Sequence, residues 1–170
     1  VCREKPFDKI SIADITAVCG LNRQTFYYHF QDKYELLSWI YYNENFSKIT
    51  EDITFDNWDQ KFLEMLRIME KEKPFYVNTL KEQEHTFESY LFEMAKALFS
   101  EAIARLDENN HLNDVEREFD AEFYAYGICG VIVSWTQSGM RIKPEVVAEH
   151  LRSLAKDTER IGYIRSQGTI

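Results

Sequence analysis

Proline and glycine are scarce in this chain of 170 residues, which holds three of the first and six of the second. So few breakers argue against a strand-and-turn architecture and for long helices. Cysteine is scarce as well. Cys2, Cys19 and Cys129 are an odd number at wide spacings, which fits reduced thiols in a cytoplasmic protein better than a disulfide framework or a metal knuckle. No apolar run approaches the roughly 18 residues of a membrane span, and no signal-peptide pattern opens the chain. His85, His111 and His150 stand alone, none spaced with Cys, Glu or another His as a metal needs, so neither metal nor cofactor is expected. A Gly-rich phosphate loop, a Ser/His/Asp arrangement and paired carboxylates with an evident site are all missing, which leaves an all-α enzyme without candidate catalytic residues.

What the chain has is apolar surface in helical rhythm. Hydrophobic residues make up 45% and aromatics 15%, enough to fill a sizeable core. Net charge is -9, which at first disfavours a nucleic-acid partner. The distribution says otherwise. Over residues 1–43 the bases Arg3, Lys5, Lys9, Arg23 and Lys33 balance the acids Glu4, Asp8, Asp14, Asp32 and Glu35, so the remainder carries the whole deficit. A neutral head on an acidic body is compatible with DNA binding by the head alone, the body being repelled by phosphates.

The head reads as helix, glycine turn, helix. Residues 1–10 resemble the end of a first helix whose beginning is missing, broken at Pro6, with Phe7 and Ile10 as core contacts. Ser11 and Asp14 form a capping box at the start of the next helix. Ile12, Ile15 and Cys19 share its inner face with Val18 alongside. Gly20 ends it and Asn22 caps its successor. In Arg23-Gln24-Thr25-Phe26-Tyr27-Tyr28-His29-Phe30, the two phenylalanines are four apart and anchor one face. Gln24 and Tyr28 point the opposite way, flanked by Thr25 and Tyr27, and Arg23 projects from the first turn. Arg pairs with guanine and Gln with adenine in the major groove, while Thr and Tyr hold phosphates. The plainer alternative is a solvated face that happens to carry tyrosines. Asp32 and Glu35 open a further helix, whose free amides and Lys33 suit a phosphate; plainly read, Lys33 is a surface lysine.

From Ser11-Ile12-Ala13-Asp14-Ile15 through Cys19-Gly20-Leu21 and Thr25–Phe30 to Lys33-Tyr34-Glu35-Leu36-Leu37, the chain resembles the DNA-binding domain of the TetR/AcrR family, without a gap from about Pro6 to Leu37. The resemblance implies that Arg23, Gln24 and Thr25 reach base edges, and that Thr25, Tyr27, Tyr28, His29 and Lys33 mostly hold phosphates, with Ser11 at the neighbouring helix start. Thr16 and Cys19 depart from the family's usual alanines. Leu37-Ser38-Trp39-Ile40 and the break at Pro74-Phe75-Tyr76 resemble a Firmicutes-type subset that includes regulators of dihydroxyacetone kinase operons.

The rest of the pattern is a succession of helices: a long one to about Ile53, one from Trp58 stopped by Pro74, a short one over Phe75–Leu80, a polar connection over Lys81–His85, one from Thr86 to about Asn109, one over 115–139, and one after Pro144 striped by Val147, Leu151, Leu154 and Ile161. The fold class is therefore all-α, with a helix-turn-helix domain at 1–43 and a helical bundle for dimerisation and regulation at 44–170. Phe62, Met65, Met69, Phe87, Tyr90, Met94 and Tyr126 are candidate walls of a ligand pocket, though core packing alone accounts for the same stripe. A row of small residues, Ala121, Ala125, Gly130, Ser134 and Ser138, runs along one helix. The segment Tyr126–Trp135 is apolar on nearly all sides, which argues for burial on both faces. Tyr126, Gly130, Val133, Ser134, Val147, Leu151 and Leu154 are the dimer-interface candidates, the resemblance implying a four-helix bundle with a second subunit. The function expected is a homodimeric, sequence-specific regulator on a palindromic operator, controlled by a small-molecule effector or by a protein co-regulator.

Overall fold

The computed structural model describes residues 5–80, 85–107 and 112–166, with side chains as far as Asp157. The expected polar connection at 81–84, the helix end at Asn109, His111 and the side chain of Ile161 lie outside the described residues. Those described contain helices and no strand. After a 3-10 turn at Phe7–Lys9 come α1 (Ile12–Cys19), α2 (Arg23–Tyr27), α3 (Lys33–Tyr41), a π turn (Tyr42–Phe46) and α4 (Ser47–Thr50). The body follows with α5 (Trp58–Lys71), α6 (Lys73–Thr79), α7 (Thr86–Leu106), α8 (Asp114–Gln137) and α9 (Pro144–Ser166).

Capping side chains define the head. Asp14 N–H donates to Ser11 Oγ at 3.2 Å, while Asp14 Oδ2 accepts the Ser11 amide at 2.8 Å, the Ser11 hydroxyl at 2.7 Å and Lys5 Nζ at 3.0 Å. Gly20 closes α1 in the left-handed region at φ 66°, letting Leu21 N–H reach back to Thr16 O at 2.9 Å. Thr16 is buried, and its hydroxyl is satisfied by Ile12 O at 2.9 Å, so it fits where a smaller apolar residue would. Asn22 Oδ1 caps α2 through Thr25 N–H at 2.8 Å, and Asp32 Oδ1 caps α3 through the amides of Tyr34 and Glu35. Val18 and Cys19, placed by the sequence on an inner face, are exposed. They rim a groove of about 570 Å³ between α1, α3 and the body, with Ile15, Leu36 and Ile40 beneath.

From Lys33 to Thr50 the chain is one helix interrupted by the π turn. Leu37, Tyr41, Asn45 and Ile49 are all buried, four residues apart each time. A straight α-helix rotates such a series by about 40° per step. The π turn holds an extra residue and brings Asn45, Phe46 and Ile49 back toward the body. Asn45 Nδ2 donates to Tyr76 Oη at 3.1 Å, and burial pushes the Tyr76 hydroxyl up to about 12. Tyr41 stacks on Tyr76 with ring centroids 6.1 Å apart, and Phe87 meets Tyr41 edge-on at 5.2 Å.

Pro74 begins a helix where the sequence pattern had it stop one. Helix α5 ends at Lys71, and Pro74 sits in the first turn of α6, where its missing N–H costs nothing. In the body α7 packs along α8, and α5 along α9. The small-residue row does not share one face. Ala121 and Ala125 are buried, whereas Gly130, Ser134 and Ser138 are exposed, because the five-residue step from Ala125 to Gly130 turns the row by about 140° around the helix. Gly127 and Gly130 are exposed mid-helix, and a Cβ on either would meet nothing within 4 Å. Each costs about 1 kcal/mol relative to alanine, with no compensating contact among the described residues.

The Ser11 amide, the Ser11 hydroxyl and Lys5 hold the Asp14 carboxyl well below the usual carboxylate range. A depressed folded-state value gives stability that is present above the unfolded value and lost as pH falls. Asp14→Asn should therefore melt below the wild type at neutral pH, with the two melting temperatures converging between about pH 4 and about pH 2. A gap that stays constant across that range would show that the ionised carboxylate contributes nothing.

Candidate nucleic-acid interface

Helix α2 has only five residues, too few to be stable alone. Phe26 holds it in place: it is buried, and its ring centroid lies 5.7 Å from that of Phe30 and 5.7 Å from that of Tyr27, which it meets in a T-shaped contact. Phe30 in turn meets Trp39 of α3 at 6.1 Å. The helix ends at Tyr27 rather than continuing to Phe30. The amides of His29 and Phe30 both turn back to Phe26 O at 3.0 Å, so residues 28–30 form a turn.

This anchoring leaves a polar face outward. Arg23 and Gln24 are exposed, Tyr27 is 57% exposed and Tyr28 75%. Arg23 has no ion-pair partner among the described residues, so its guanidinium is available for an acceptor. Gln24 Nε2 donates to Tyr28 Oη at 3.4 Å, which links the amide to the phenol one turn on. Thr25 is half-buried, and its hydroxyl donates to Asn22 Oδ1 at 3.1 Å, so it doubles as part of the cap. His29 is exposed at the end of the turn. Ser11 is exposed, but its hydroxyl belongs to the capping box of α1.

Lys33 is engaged in a way the sequence did not disclose. Its ammonium donates to three backbone carbonyls, Phe7 O at 2.9 Å, Asp8 O at 3.0 Å and Ile10 O at 3.1 Å, and lies 4.8 Å from the centre of the Phe7 ring. An ammonium has three donors, and all three are used. Lys33 thus clamps the 3-10 turn to the start of α3. A phosphate at Lys33 has to share or displace one of these carbonyls.

None of the seven candidate pocket residues lines the groove beside α1 or the cavity described below. Phe62, Met65, Met69, Phe87 and Met94 belong to the packed core, Tyr90 is half-buried, and Tyr126 is exposed on α8. A cavity of about 300 Å³ lies instead between α5, α7, α8 and α9, walled by Trp58, Phe99 and Tyr124, with Asp59, Arg152 and Lys156 at its edge. The dimer candidates also divide. Tyr126, Gly130, Ser134 and Leu154 are exposed, Val133 is half-buried, and Val147 and Leu151 point into the subunit's own core. Val147 and Leu151 are one helical turn apart on α9 and belong to the hydrophobic core cluster. The sequence missed Phe119, Phe123 and Val131 as exposed apolar residues.

Comparison with known proteins settles the class. Residues 1–39 match "Bacterial regulatory proteins, tetR family", and residues 56–157 match a TetR-type "Transcriptional regulator C-terminal region". The chain belongs to the TetR family. It is 28% identical over 127 residues to the HTH-type dhaKLM operon transcriptional activator DhaS of Lactococcus lactis subsp. lactis (strain IL1403), covering 74% of this chain and 67% of that protein. It also resembles a solved structure titled dihydroxyacetone kinase operon activator DhaS, with a TM-score of 0.71 and 25% identity over 94% of this chain and 90% of the other. The TetR-type assignment makes the protein a transcriptional regulator, and the helix-turn-helix is the part such regulators place on DNA.

Lys33→Ala removes three charge-assisted bonds and should lower the unfolding free energy by about 1–3 kcal/mol, read by chemical denaturation. An unchanged midpoint and slope would mean that the clamp does not stabilise the head.

Proposed function

We propose that this regulator is a cytoplasmic homodimer that reads a palindromic operator, with residues 1–43 as the reading head and 44–170 as the regulatory and pairing body. Arg23, Gln24 and Thr25 meet base edges. Tyr27, Tyr28, His29, Lys33 and Ser11 face phosphates. The observation that carries this reading is the outward face of α2 and the turn after it: an arginine with no ion-pair partner among the described residues, an amide and two exposed phenols, anchored from behind by Phe26. A two-fold dimer places two such helices in successive major grooves, with half-sites about one helical turn apart or slightly more.

The two DhaS proteins are named as operon activators, and the same sense of regulation, activation of an operon for a dihydroxyacetone kinase or a related enzyme, is proposed for this chain. Control enters through the body. A small-molecule effector has the cavity between α5, α7, α8 and α9 available to it. The tight packing of Phe62, Met65, Met69 and Phe87 favours, as a second reading, a protein co-regulator docking on the outside of the body. Either acts by binding one orientation of the heads better than another.

Gel-shift titrations on the promoter region beside the coding sequence test the assignment. Arg23→Ala should cost about 1–3 kcal/mol of binding and relax selectivity at one base position in each half-site. Lys33→Ala should weaken all sequences alike and lower the salt slope by about one if its ammonium reaches a phosphate. Unaltered DNA binding in both variants would remove the reading head from this position. Native mass spectrometry of protein from cell extract separates the two modes of control, by a bound small molecule or a bound protein.

A further inference from the structure

Three side chains of α2 carry the base contacts of the proposed reading head, and the fold holds each of them differently. Arg23 is exposed and has no ion-pair partner among the described residues. Thr25 is half-buried, with its hydroxyl committed to Asn22 Oδ1 at 3.1 Å. Gln24 is tied to a second residue of the same outward surface, its Nε2 donating to Tyr28 Oη at 3.4 Å. The two residues are four apart, so on a helix they lie one above the other. Helix α2 ends at Tyr27, but Tyr28 keeps helical geometry at φ -72° and ψ -22°, and its amide donates to Thr25 O at 3.3 Å. The phenol therefore stays in line with Gln24 although the helix has ended.

Counting hydrogens gives this contact a direction. A phenol has one hydrogen to donate and lone pairs to accept with, whereas a glutamine amide has two N–H donors and a carbonyl acceptor. A Tyr28 that gives its one hydrogen to a phosphate can meet Gln24 only as an acceptor, which is the arrangement the structure holds. It leaves the amide its carbonyl and one N–H. Adenine presents a donor at N6 and an acceptor at N7 in the major groove, and that pair matches both. Guanine presents two acceptors, O6 and N7, and would set O6 against the Gln24 carbonyl. With the amide turned over, its oxygen would take the phenol hydrogen. Both N–H groups would then face guanine, and no hydrogen would remain for the phosphate. The phosphate contact and the base preference are thus linked through one phenol oxygen. A glutamine already held in this way also loses less rotamer freedom on binding.

We propose that Tyr28 is a positioning residue for base recognition: its phenol fixes the amide of Gln24 in the orientation that selects adenine, while its own hydrogen goes to a backbone phosphate. The proposal rests on the reading head proposed above and adds how one of its positions discriminates between bases.

Selection of the full chain on a random double-stranded DNA library gives its preferred duplex. Titrations on that duplex, with every base pair tried at each half-site position, then give the preference at each position. The wild type should prefer adenine to guanine at one position, and Gln24→Ala should abolish that preference and so identify the position. Tyr28→Phe keeps the ring, which is 75% exposed, and removes the oxygen. It should lower the adenine preference at that position by about fivefold, leave the other positions unchanged, and weaken all duplexes alike through the lost phosphate contact. In a Gln24→Ala background, Tyr28→Phe should retain only the uniform loss. A uniform loss with the adenine preference intact in Tyr28→Phe alone would overturn the proposal, Tyr28 then being a phosphate contact and nothing more. So would a wild-type preference for guanine at the Gln24 position, since the amide would then be turned the other way. A wild type that enriches no sequence, or a Gln24→Ala variant with every preference unchanged, would overturn the placement of the reading head itself.

Discussion

A single helix serves both ends of one hydrophobic core that runs from head to body. Its first part, α3, packs Leu37 into the cluster beside Phe7 and Ile10 of the head, and the π turn and α4 bring Phe46 and Ile49 into the same cluster with Phe62, Met65 and Phe87 of the body. A straight α-helix could not serve both with residues spaced by fours, because its face rotates away. The π turn corrects the phase, and the Asn45–Tyr76 hydrogen bond fixes it from inside the core. Ser38, bonded to Thr86 of α7 at 3.3 Å, adds a side tie. The orientation of the reading head relative to the body is therefore set by the phase of one helix.

The head itself is small, and caps and clamps supplement its packing. Its turns are fixed by Ser11 with Asp14, by Gly20, by Asn22 and by Asp32, and the ammonium of Lys33 gathers three carbonyls of the segment before α1. This leaves the outward surface of α2 without a structural task, apart from the share of Thr25 in its cap. Few side chains on one such helix reach base edges, so in the proposed homodimer discrimination depends on how two heads are spaced.

The helix-turn-helix was legible in the sequence because its signals are local. A serine three residues before an aspartate, a glycine at a helix end and two phenylalanines one turn apart each act within four residues. The all-α class was legible for the same reason. The π turn was not, because nothing in Tyr42–Phe46 differs in composition from α-helix. Pro74 was ambiguous, since proline ends one helix and starts another with equal ease. The role of Lys33 depends on carbonyls about 25 residues away, and no spacing rule reaches so far.

The body shows the division most clearly. Its apolar stripes were visible as stripes, but a stripe does not say what it faces. Met65, Met69, Val147 and Leu151 turned out to be core, and Phe119, Phe123 and Tyr126 to face outward. The sequence alone determined the helical class, the capped reading head and the residues on its outer face, because backbone hydrogen bonding and side-chain periodicity are local. The tertiary structure alone decided which apolar faces are closed, where space remains between the helices and how the connecting helix is phased, because burial depends on which helices pack together.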